Sequence, residues 1–244
     1  YYALCAEWSP ERTAEVTGVP ADQIRDTARL LWASRPVSYY VWSGVGQHTN
    51  ATQTDRAISI LYSLLGSIGS SGGNQQPAGV PLNDVSGHEL VTDVQRSKTL
   101  GLQERPLGPP KNGWCTSRDL YHSILEGEPY RVRALLGFGQ NLVISHGGVE
   151  RGIEALKALE FHVQTDIFLT PTASYADLVL PVNTAWERDS LQVGFEITDA
   201  ASGWVQFRHA AVESAGESRD DGWMVFEIAK RRGLAALFCG VDID

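Results

Sequence analysis

Apolar residues recur at helical spacing in the first third of the chain, between residues that typically begin and end helices. Ser9, followed by proline and glutamate, is typical of a helix N-terminus, and Gly18 is typical of its end. A second helix is predicted to begin at Pro20 and to end at Pro36. A third is predicted over Thr52–Leu65. Most of this third of the chain is therefore expected to be helical.

One strongly β-forming run interrupts these helices. Val37–Trp42, with the sequence VSYYVW, is rich in β-branched and aromatic residues and predicts a buried strand. A turn that contains two glycines follows at residues 43–48. From residue 69 to about 114 the periodicity is lost, and the stretch contains paired glycines and paired prolines. Because loops of this length are uncommon inside a domain, we predict an irregular excursion that packs against another part of the molecule.

Strands and helices alternate through the second half of the chain. This alternation predicts an α/β fold in which a parallel sheet is connected by helical crossovers. The predicted strands are Val132–Phe138, Phe161–Thr165 and Asp177–Pro181, and the predicted helices are Thr116–Glu126, Gly148–Leu159, Ala173–Ala176 and Asp221–Arg232.

Composition places the chain among globular proteins. Of its 244 residues, 43% are hydrophobic and 20% are charged, which excludes general disorder. The net charge of −9 argues against electrostatic binding of nucleic acid, which needs a basic face. No apolar run approaches the ~18 residues of a membrane-spanning helix, so no direct membrane insertion is expected. The chain has no initial Met and no signal peptide, and we expect it to be a piece of a longer protein.

The three cysteines do not form a metal-binding pattern. Cys5, Cys115 and Cys239 are far apart in the sequence, whereas zinc and iron–sulfur sites use closely spaced ligands. We therefore expect three small core or surface thiols and no metal site made by this chain alone.

Polar residues follow three of the predicted strands, at the positions where an open parallel sheet binds its ligands. Gln47, Asn141, Thr165 and Asp166 occupy these positions. A carboxylate can accept two N–H bonds from one edge of guanine, so Asp166 predicts a guanine nucleotide site. The alternative is conformational, because Asn and Asp also form turns and caps without any ligand. The chain has neither a dinucleotide-binding fingerprint nor a P-loop, so both interpretations stay open at this point.

Three longer stretches carry a further pattern. The first runs from Ser43 (SGVGQHTN) through LLGSIG to the glycines before Asn74, and the second is LGFGQN, which ends at Asn141. The third is QTDIFLT followed by TA and YADLVLP, and GESRDDGW lies further on. The third stretch is the most specific, and the pattern covers nearly the whole chain. Together these motifs resemble the molybdopterin oxidoreductases of the dimethyl sulfoxide reductase family.

The resemblance implies a large subunit that holds molybdenum or tungsten between two pyranopterins, each carrying GMP. Its cofactor-binding domains are Rossmann-like three-layer α/β structures; residues 1–42 would end one of them and residues 43–244 would form the second half of the other. Asp166 is expected to bind the guanine edge, Arg188 a phosphate or carbonyl, and Gln47 the pterin. By matched position, the residues expected to contact pterin guanine dinucleotide are Ser43, Gln47, Asn141, Thr165, Asp166, Arg188 and Asp221.

Some positions depart from the family pattern. Leu142 replaces the usual proline, Leu65 and Ser67 replace threonine and asparagine, and residues 191–204 differ from the usual segment. The family's metal ligand and iron–sulfur motif lie N-terminal to the matched region, and its C-terminal barrel domain follows it. No catalytic residue is therefore expected in this chain, which should be inactive alone. The iron–sulfur cluster is expected in the N-terminal part of the subunit.

Two alternatives accompany this interpretation. The large iron–sulfur subunit of NADH dehydrogenase is a non-catalytic electron-transfer scaffold of similar fold without the pterin, but a scaffold has no reason to keep Gln47, Asn141 and Asp166 together. The central domain of thiamine-diphosphate enzymes shares α/β architecture, and the ADLVLP run argues against it. Expected partners are the remaining domains of the same subunit and an iron–sulfur electron-transfer subunit. The substrate stays open, and so does the compartment: the cytoplasm, or export by a twin-arginine signal outside this segment.

Overall fold

The computed structural model describes residues 2–75, 79–82, 86–194 and 199–237. The chain divides into two units, residues 1–80 with 193–205 and residues 81–192 with 206–244. The boundary predicted between residues 42 and 43 concerns the domains of a complete subunit, and it stays a prediction.

The N-terminal part of the first unit is helical, as its caps predict. The Ser9 Oγ accepts from the backbone N–H of Arg12 at 3.2 Å, and Gly18 ends the same helix in the left-handed conformation with φ 74°. Such a conformation suits glycine because it has no Cβ. The helices are α1 (Tyr2–Ala6), α2 (Pro10–Thr17), α3 (Ala21–Ala33), α4 (Ser43–Gly46) and α5 (Ala51–Leu64).

The strand predicted over Val37–Trp42 is not formed. Among the described residues no β-strand lies beside this run, so its backbone has no ladder partner. Instead, the Tyr39 backbone N–H donates to the Asn74 Oδ1 at 2.6 Å, and the Asn74 Nδ2 donates to the Tyr39 carbonyl at 2.7 Å. One side-chain amide therefore makes the pair of bonds that a neighbouring strand would make.

Asn74 ends a tight loop that begins at Ser67. The backbone N–H of Asn74 donates to the Ser67 carbonyl at 2.8 Å, and Gly69 N–H donates to the Asn74 carbonyl at 2.8 Å. At Gly73 a Cβ would overlap the Ser67 carbonyl, so only glycine fits there. Ser67 is fully buried, and its Oγ accepts from the backbone N–H of Val37 at 3.1 Å. The loop from Ser67 to Asn74 and the extended run over residues 37–42 are thus fixed to each other.

The second unit contains the predicted parallel α/β arrangement. Its sheet has the order β1-β2-β3, and both pairs of strands are parallel. Val163 pairs with Leu136 on one side and with Leu178 on the other, so β2 is the central strand. The strands are β1 (Ala134–Phe138), β2 (Phe161–Asp166) and β3 (Leu178–Pro181). The predicted α/β class is confirmed.

Short helices and 3-10 turns precede, separate and follow these strands along the chain. A single 3-10 turn, Ala173–Tyr175, connects β2 to β3 where a short helical turn is predicted. Two further 3-10 turns, His88–Leu90 and Pro109–Asn112, lie in the predicted excursion. The helices are α6 (Asp93–Ser97), α7 (Ser117–Leu125), α8 (Leu142–Ser145), α9 (Val149–Ala158), α10 (Asp199–Ser202), which belongs to the first unit, and α11 (Asp221–Arg231), and another 3-10 turn is Ala235–Leu237.

The apolar core of the second unit lies where α7 meets α9. Tyr121 and Ile124 of α7 pack with Ala155 of α9, and all three are buried. Gly152 allows this close approach, because a Cβ there would lie 3.0 Å from the Tyr121 Oη. On the other side of α7, Asp119 pairs with Arg105, which ties part of the excursion to this unit.

The chain leaves the sheet after β3 and returns beside it. The Glu187 carboxylate accepts from the backbone N–H of Thr184 at 2.7 Å and from that of Ala215 at 2.7 Å. These bonds hold the pKa of Glu187 below its usual range. The Trp186 carbonyl accepts from Ala211 N–H at 2.8 Å. Between these contacts, β4 (Ser190–Val193) and β5 (Val205–Arg208) form a separate two-stranded sheet.

Candidate functional site

The carboxyl ends of β1, β2 and β3 lie at one edge of the parallel sheet. The start of α11 joins them, because Asn183, just after β3, donates its backbone N–H to the Arg219 carbonyl at 3.0 Å. Arg219 N–H in turn donates to the Pro181 carbonyl at 3.3 Å. In open α/β sheets this edge is where ligands bind.

Asp166 is the last residue of β2 and is partly exposed. Its Oδ1 accepts from the backbone N–H of Ile167 at 2.8 Å and from that of Phe168 at 3.3 Å. Its Oδ2 has no hydrogen bond to any described residue. Asp166 thus forms a turn, as the conformational alternative predicts, and still has one carboxylate oxygen without a hydrogen bond among the described residues.

Asn141 follows β1 and is held by the loop that precedes β3. Its Oδ1 accepts from the Thr172 hydroxyl at 3.0 Å, and that hydroxyl accepts from the backbone N–H of Val143 at 3.0 Å. Thr172 is fully buried. The Asn141 Nδ2 has no partner within the described ranges and is a donor available at this edge.

Thr165 and Asp221 contact each other, which joins β2 to the start of α11. The Thr165 hydroxyl donates to the Asp221 Oδ1 at 3.2 Å, and the Thr165 side chain is fully buried. Asp221 lies at the first position of α11, where a carboxylate is favourable beside the unpaired N–H groups. The Thr165 hydroxyl therefore orients Asp221 in this structure.

Arg188 is held by Asp220, the N-cap of α11. Its Nη1 donates to the Asp220 Oδ2 at 2.8 Å, and the Asp220 Oδ1 accepts from the Gly222 N–H at 2.8 Å. Burial raises the pKa of Asp220, but the hydrogen bonds from Arg188 and from the Gly222 and Trp223 N–H groups, together with the charge of Arg188, outweigh it and hold the pKa below its usual range. The Arg188 Nε is buried and has no partner in the part of the chain that the structure describes. That N–H is therefore an unpaired hydrogen-bond donor.

Ser43 and Gln47 belong to the first unit, at the start and just after the end of α4. Both are exposed, and the Gln47 backbone N–H donates to the Ser43 carbonyl at 2.9 Å. The structure thus brings together Asn141, Thr165, Asp166, Arg188 and Asp221 at one edge of the second unit. The roles of Ser43 and Gln47 stay predictions.

Sequence reasoning missed three residues that hold this edge: Gln164, Thr172 and Asp220. Each of them carried a signal. Thr172 lies between Thr170 and Ala173 in the specific run, and Asp220 stands where a helix N-cap is expected. Gln164 lies between Val163 and Thr165 in a predicted strand, where a polar side chain needs a hydrogen-bond partner once it is buried.

Other kinds of site are not found in the described ranges. They hold no group of three or more His, Cys, Asp or Glu residues that could bind a metal ion. Cys5 and Cys115 are exposed free thiols, as expected, whereas Cys239 lies outside the described residues. No helix of the described parts is long and apolar enough to cross a membrane.

Comparison with known proteins identifies the family. A family model described as molybdopterin oxidoreductase matches residues 27–231. The chain belongs to the molybdopterin oxidoreductase family. Dopamine dehydroxylase of Eggerthella lenta is 31% identical over 248 residues, which cover 95% of this chain and 24% of that protein. Formate dehydrogenase H of Escherichia coli is 27% identical, over 96% of this chain and 33% of its own length.

The likeness extends to a solved structure. Acetylene hydratase from Pelobacter acetylenicus matches with a TM-score of 0.82 at 24% identity, over 96% of this chain and 35% of that one. This match shows the fold. The chain spans about a quarter to a third of the length of the relatives it matches. The resemblance to the dimethyl sulfoxide reductase family, inferred above from three motifs, is confirmed.

The edge fits the molybdenum or tungsten pterin cofactor that this family implies. Such a cofactor is rich in phosphate and in ring N–H and carbonyl groups, and it needs both donors and acceptors from the protein. The buried, unpaired Arg188 Nε and the Asn141 Nδ2 supply donors, and the Asp166 Oδ2 supplies an acceptor.

Proposed function

We propose that this chain contributes the pterin guanine dinucleotide-binding edge of a molybdenum- or tungsten-dependent oxidoreductase. The observation that carries the proposal is Asp166, whose Oδ1 is fixed by two backbone N–H groups while its Oδ2 stays unpaired among the described residues. The unpaired Oδ2 would accept from one of the two adjacent donors of guanine, the ring N–H and the exocyclic amine, and the second donor would share the Oδ1 with the Phe168 N–H, whose bond is the longer one at 3.3 Å. Adenine and cytosine do not present that pair of donors.

The neighbouring residues would bind the rest of the nucleotide. Arg188, oriented by Asp220, would offer its unpaired Nε N–H to a phosphate or carbonyl oxygen. The Asn141 amide would donate to a carbonyl or ribose oxygen. Asp221, held by Thr165, would accept from a hydroxyl or an amine. Ser43 and Gln47 are proposed as pterin contacts on the motif resemblance alone.

When bound, the cofactor supplies a metal centre that exchanges electrons with a small substrate. The residues of this chain bind and orient the nucleotide, and they hold no proton at the reacting atom. We place the metal's protein ligand and an iron–sulfur cluster in other parts of the full-length subunit, together with the substrate site. An iron–sulfur electron-transfer subunit is the partner we propose for the complete enzyme.

Exposed apolar surface supports the proposal that other domains of the same subunit cover the first unit. Among its described residues only Leu65, Ser67 and Ser202 are buried. Tyr40 is 83% exposed and Trp42 is 78% exposed, and their rings stack on each other. Apolar surface of this kind marks an interface more often than a free face.

Nucleotide analysis of the full-length protein tests the proposal. Acid hydrolysis of the purified holoenzyme should release GMP together with pterin and metal. Asp166→Asn replaces one acceptor by a donor that opposes guanine, and we expect cofactor affinity to fall roughly 10- to 100-fold. Asp93→Asn, an exposed carboxylate on α6, is the control. Full-length protein that contains no pterin would contradict the proposal and favour the electron-transfer scaffold.

A further inference from the structure

Gln164 is a fully buried polar residue in the central strand of the sheet. Alternation along β2 places it on the same face as His162, which is also buried. An apolar side chain would fill this position without the cost of desolvating an amide. The amide must therefore be paired, and its partners show what it does.

The Gln164 amide bonds to the chain just beyond the end of β1. Its Nε2 donates to the Gln140 carbonyl at 3.1 Å and to the Thr165 carbonyl at 3.1 Å. Its Oε1 lies 3.4 Å from the His162 Nε2. The strand beside it has Gly137 at the facing position, where a Cβ would lie 3.1 Å from the Gln164 Cδ and closer still to the Oε1. A side chain at position 137 would therefore displace this amide.

The bond to Gln140 fixes the residue that precedes Asn141. On the far side of Asn141, the Thr172 hydroxyl holds both the Asn141 Oδ1 and the Val143 N–H. The turn that carries Asn141 is therefore anchored on both sides by buried side chains. The ladder of β1 and β2 ends at the bond from Gly139 N–H to the Thr165 carbonyl, 2.9 Å, so only Gln164 holds Gln140 among the described residues.

We propose that Gln164 is a positioning residue for cofactor binding: it acts through Asn141 by fixing the Gln140 carbonyl. This inference rests on the proposed function, since it assumes that Asn141 contacts the pterin guanine dinucleotide. Gln164 itself does not touch the cofactor. Its buried hydrogen bonds, together with His162, fix the orientation of the turn. The Asn141 amide is therefore preorganised for the nucleotide, and less conformational entropy is lost on binding.

A double-mutant cycle in the full-length holoenzyme tests the coupling. Gln164→Met keeps the length of the side chain and leaves the Gln140 carbonyl unpaired, and Asn141→Ala removes the proposed contact. The readout is the rate at which GMP-bearing cofactor leaves the holoenzyme in mild denaturant. We expect each single variant to release it about 10-fold faster than the wild type. The double variant should release it no faster than Asn141→Ala alone, because Gln164 acts through Asn141.

A matched control tests for effects unrelated to the buried amide, and a second variant replaces Gln164→Met if that variant does not fold. Gln23→Met changes an exposed glutamine on α3 and should leave the rate unchanged. If Gln164→Met does not accumulate as folded protein, Gly137→Ala displaces the same amide and must show the same coupling to Asn141. Wild-type release rates, or additive effects of the two substitutions, would overturn the inference alone. A wild-type holoenzyme without GMP would overturn the proposed function and this inference with it.

Discussion

The Gln164 side-chain amide occupies the space that a Cβ on Gly137 would need. The two residues face each other across the β1–β2 ladder, where Gly137 pairs with Gln164 in register. Gly137 lies in a strand without a positive φ, so backbone conformation does not demand glycine there. The requirement for glycine comes from the neighbouring strand.

Gly137→Ala should therefore destabilise the full-length protein by about 1–3 kcal/mol, since the buried amide must move and lose its bonds. Gly147→Ala is the matched control, because a Cβ at that position meets nothing within 4 Å. Chemical denaturation of both variants measures the difference. Equal stabilities would mean that the amide shifts without cost.

Thr172→Val should loosen the turn that carries Asn141. Valine matches threonine in shape, but it leaves both the Asn141 Oδ1 and the Val143 N–H without their partner. Loss of such buried bonds costs about 1–3 kcal/mol. The measurement is the free energy of unfolding, together with amide exchange at Val143, and Thr52→Val on the exposed face of α5 is the control. Unchanged exchange at Val143 would contradict the bridging role.

The ion pair of Asp220 with Arg188 predicts a pH dependence. The pKa of Asp220 is lower in the folded protein than its usual value, so the folded state binds fewer protons. Its contribution to stability is complete above the unfolded pKa of about 3.9 and is lost as the pH falls through the folded pKa. Asp220→Asn, which keeps the cap, should cost up to about 1 kcal/mol at pH 7.

The difference in unfolding free energy between wild type and Asp220→Asn should shrink as the pH falls from about 5 to below 3. Denaturant titrations of the full-length protein across that range measure it, with Asp93→Asn as the control for loss of a surface charge. A difference that stays constant with pH would show that the ion pair does not contribute.

Asn74→Ala should release the extended run over residues 37–42. The variant removes both bonds to the Tyr39 backbone, and amide exchange at Tyr39 should rise roughly 10-fold or more. Asn74→Asp keeps the acceptor and loses the donor, so its effect should be intermediate. Asn50→Ala, at an N-cap whose side chain makes no capping bond, is the control. Equal exchange in all three variants would exclude the strand-like role of Asn74.

Local sequence signals predicted the elements that depend on local interactions. The cap at Ser9, the helix start at Thr116 and the alternation that gives β1, β2 and β3 are readable because each signal lies within a few residues of its effect. The strand predicted over Val37–Trp42 failed for the opposite reason. Strand formation needs a neighbouring strand, and composition does not supply one.

The candidate site shows the same division. Asp166 at the end of β2 was predicted from a run of six residues, since parallel strands share their carboxyl edge. The anchoring by Gln164, Thr172 and Asp220 was not predicted. Each of them bonds to a residue that is far away in the sequence and that only the folded sheet brings close. Sequence pattern thus indicates where the edge lies, and tertiary contacts determine how it is held.

The bonds made by Glu187 affect how much the length of the segment after it can vary. Its two bonds, with that from the Ala211 N–H to the Trp186 carbonyl, close the chain on itself before and after residues 190–209. Because closure is fixed at the base, each doubling of the enclosed length costs only about 0.6 kcal/mol. Extra length in the enclosed segment should therefore cost the folded protein little stability.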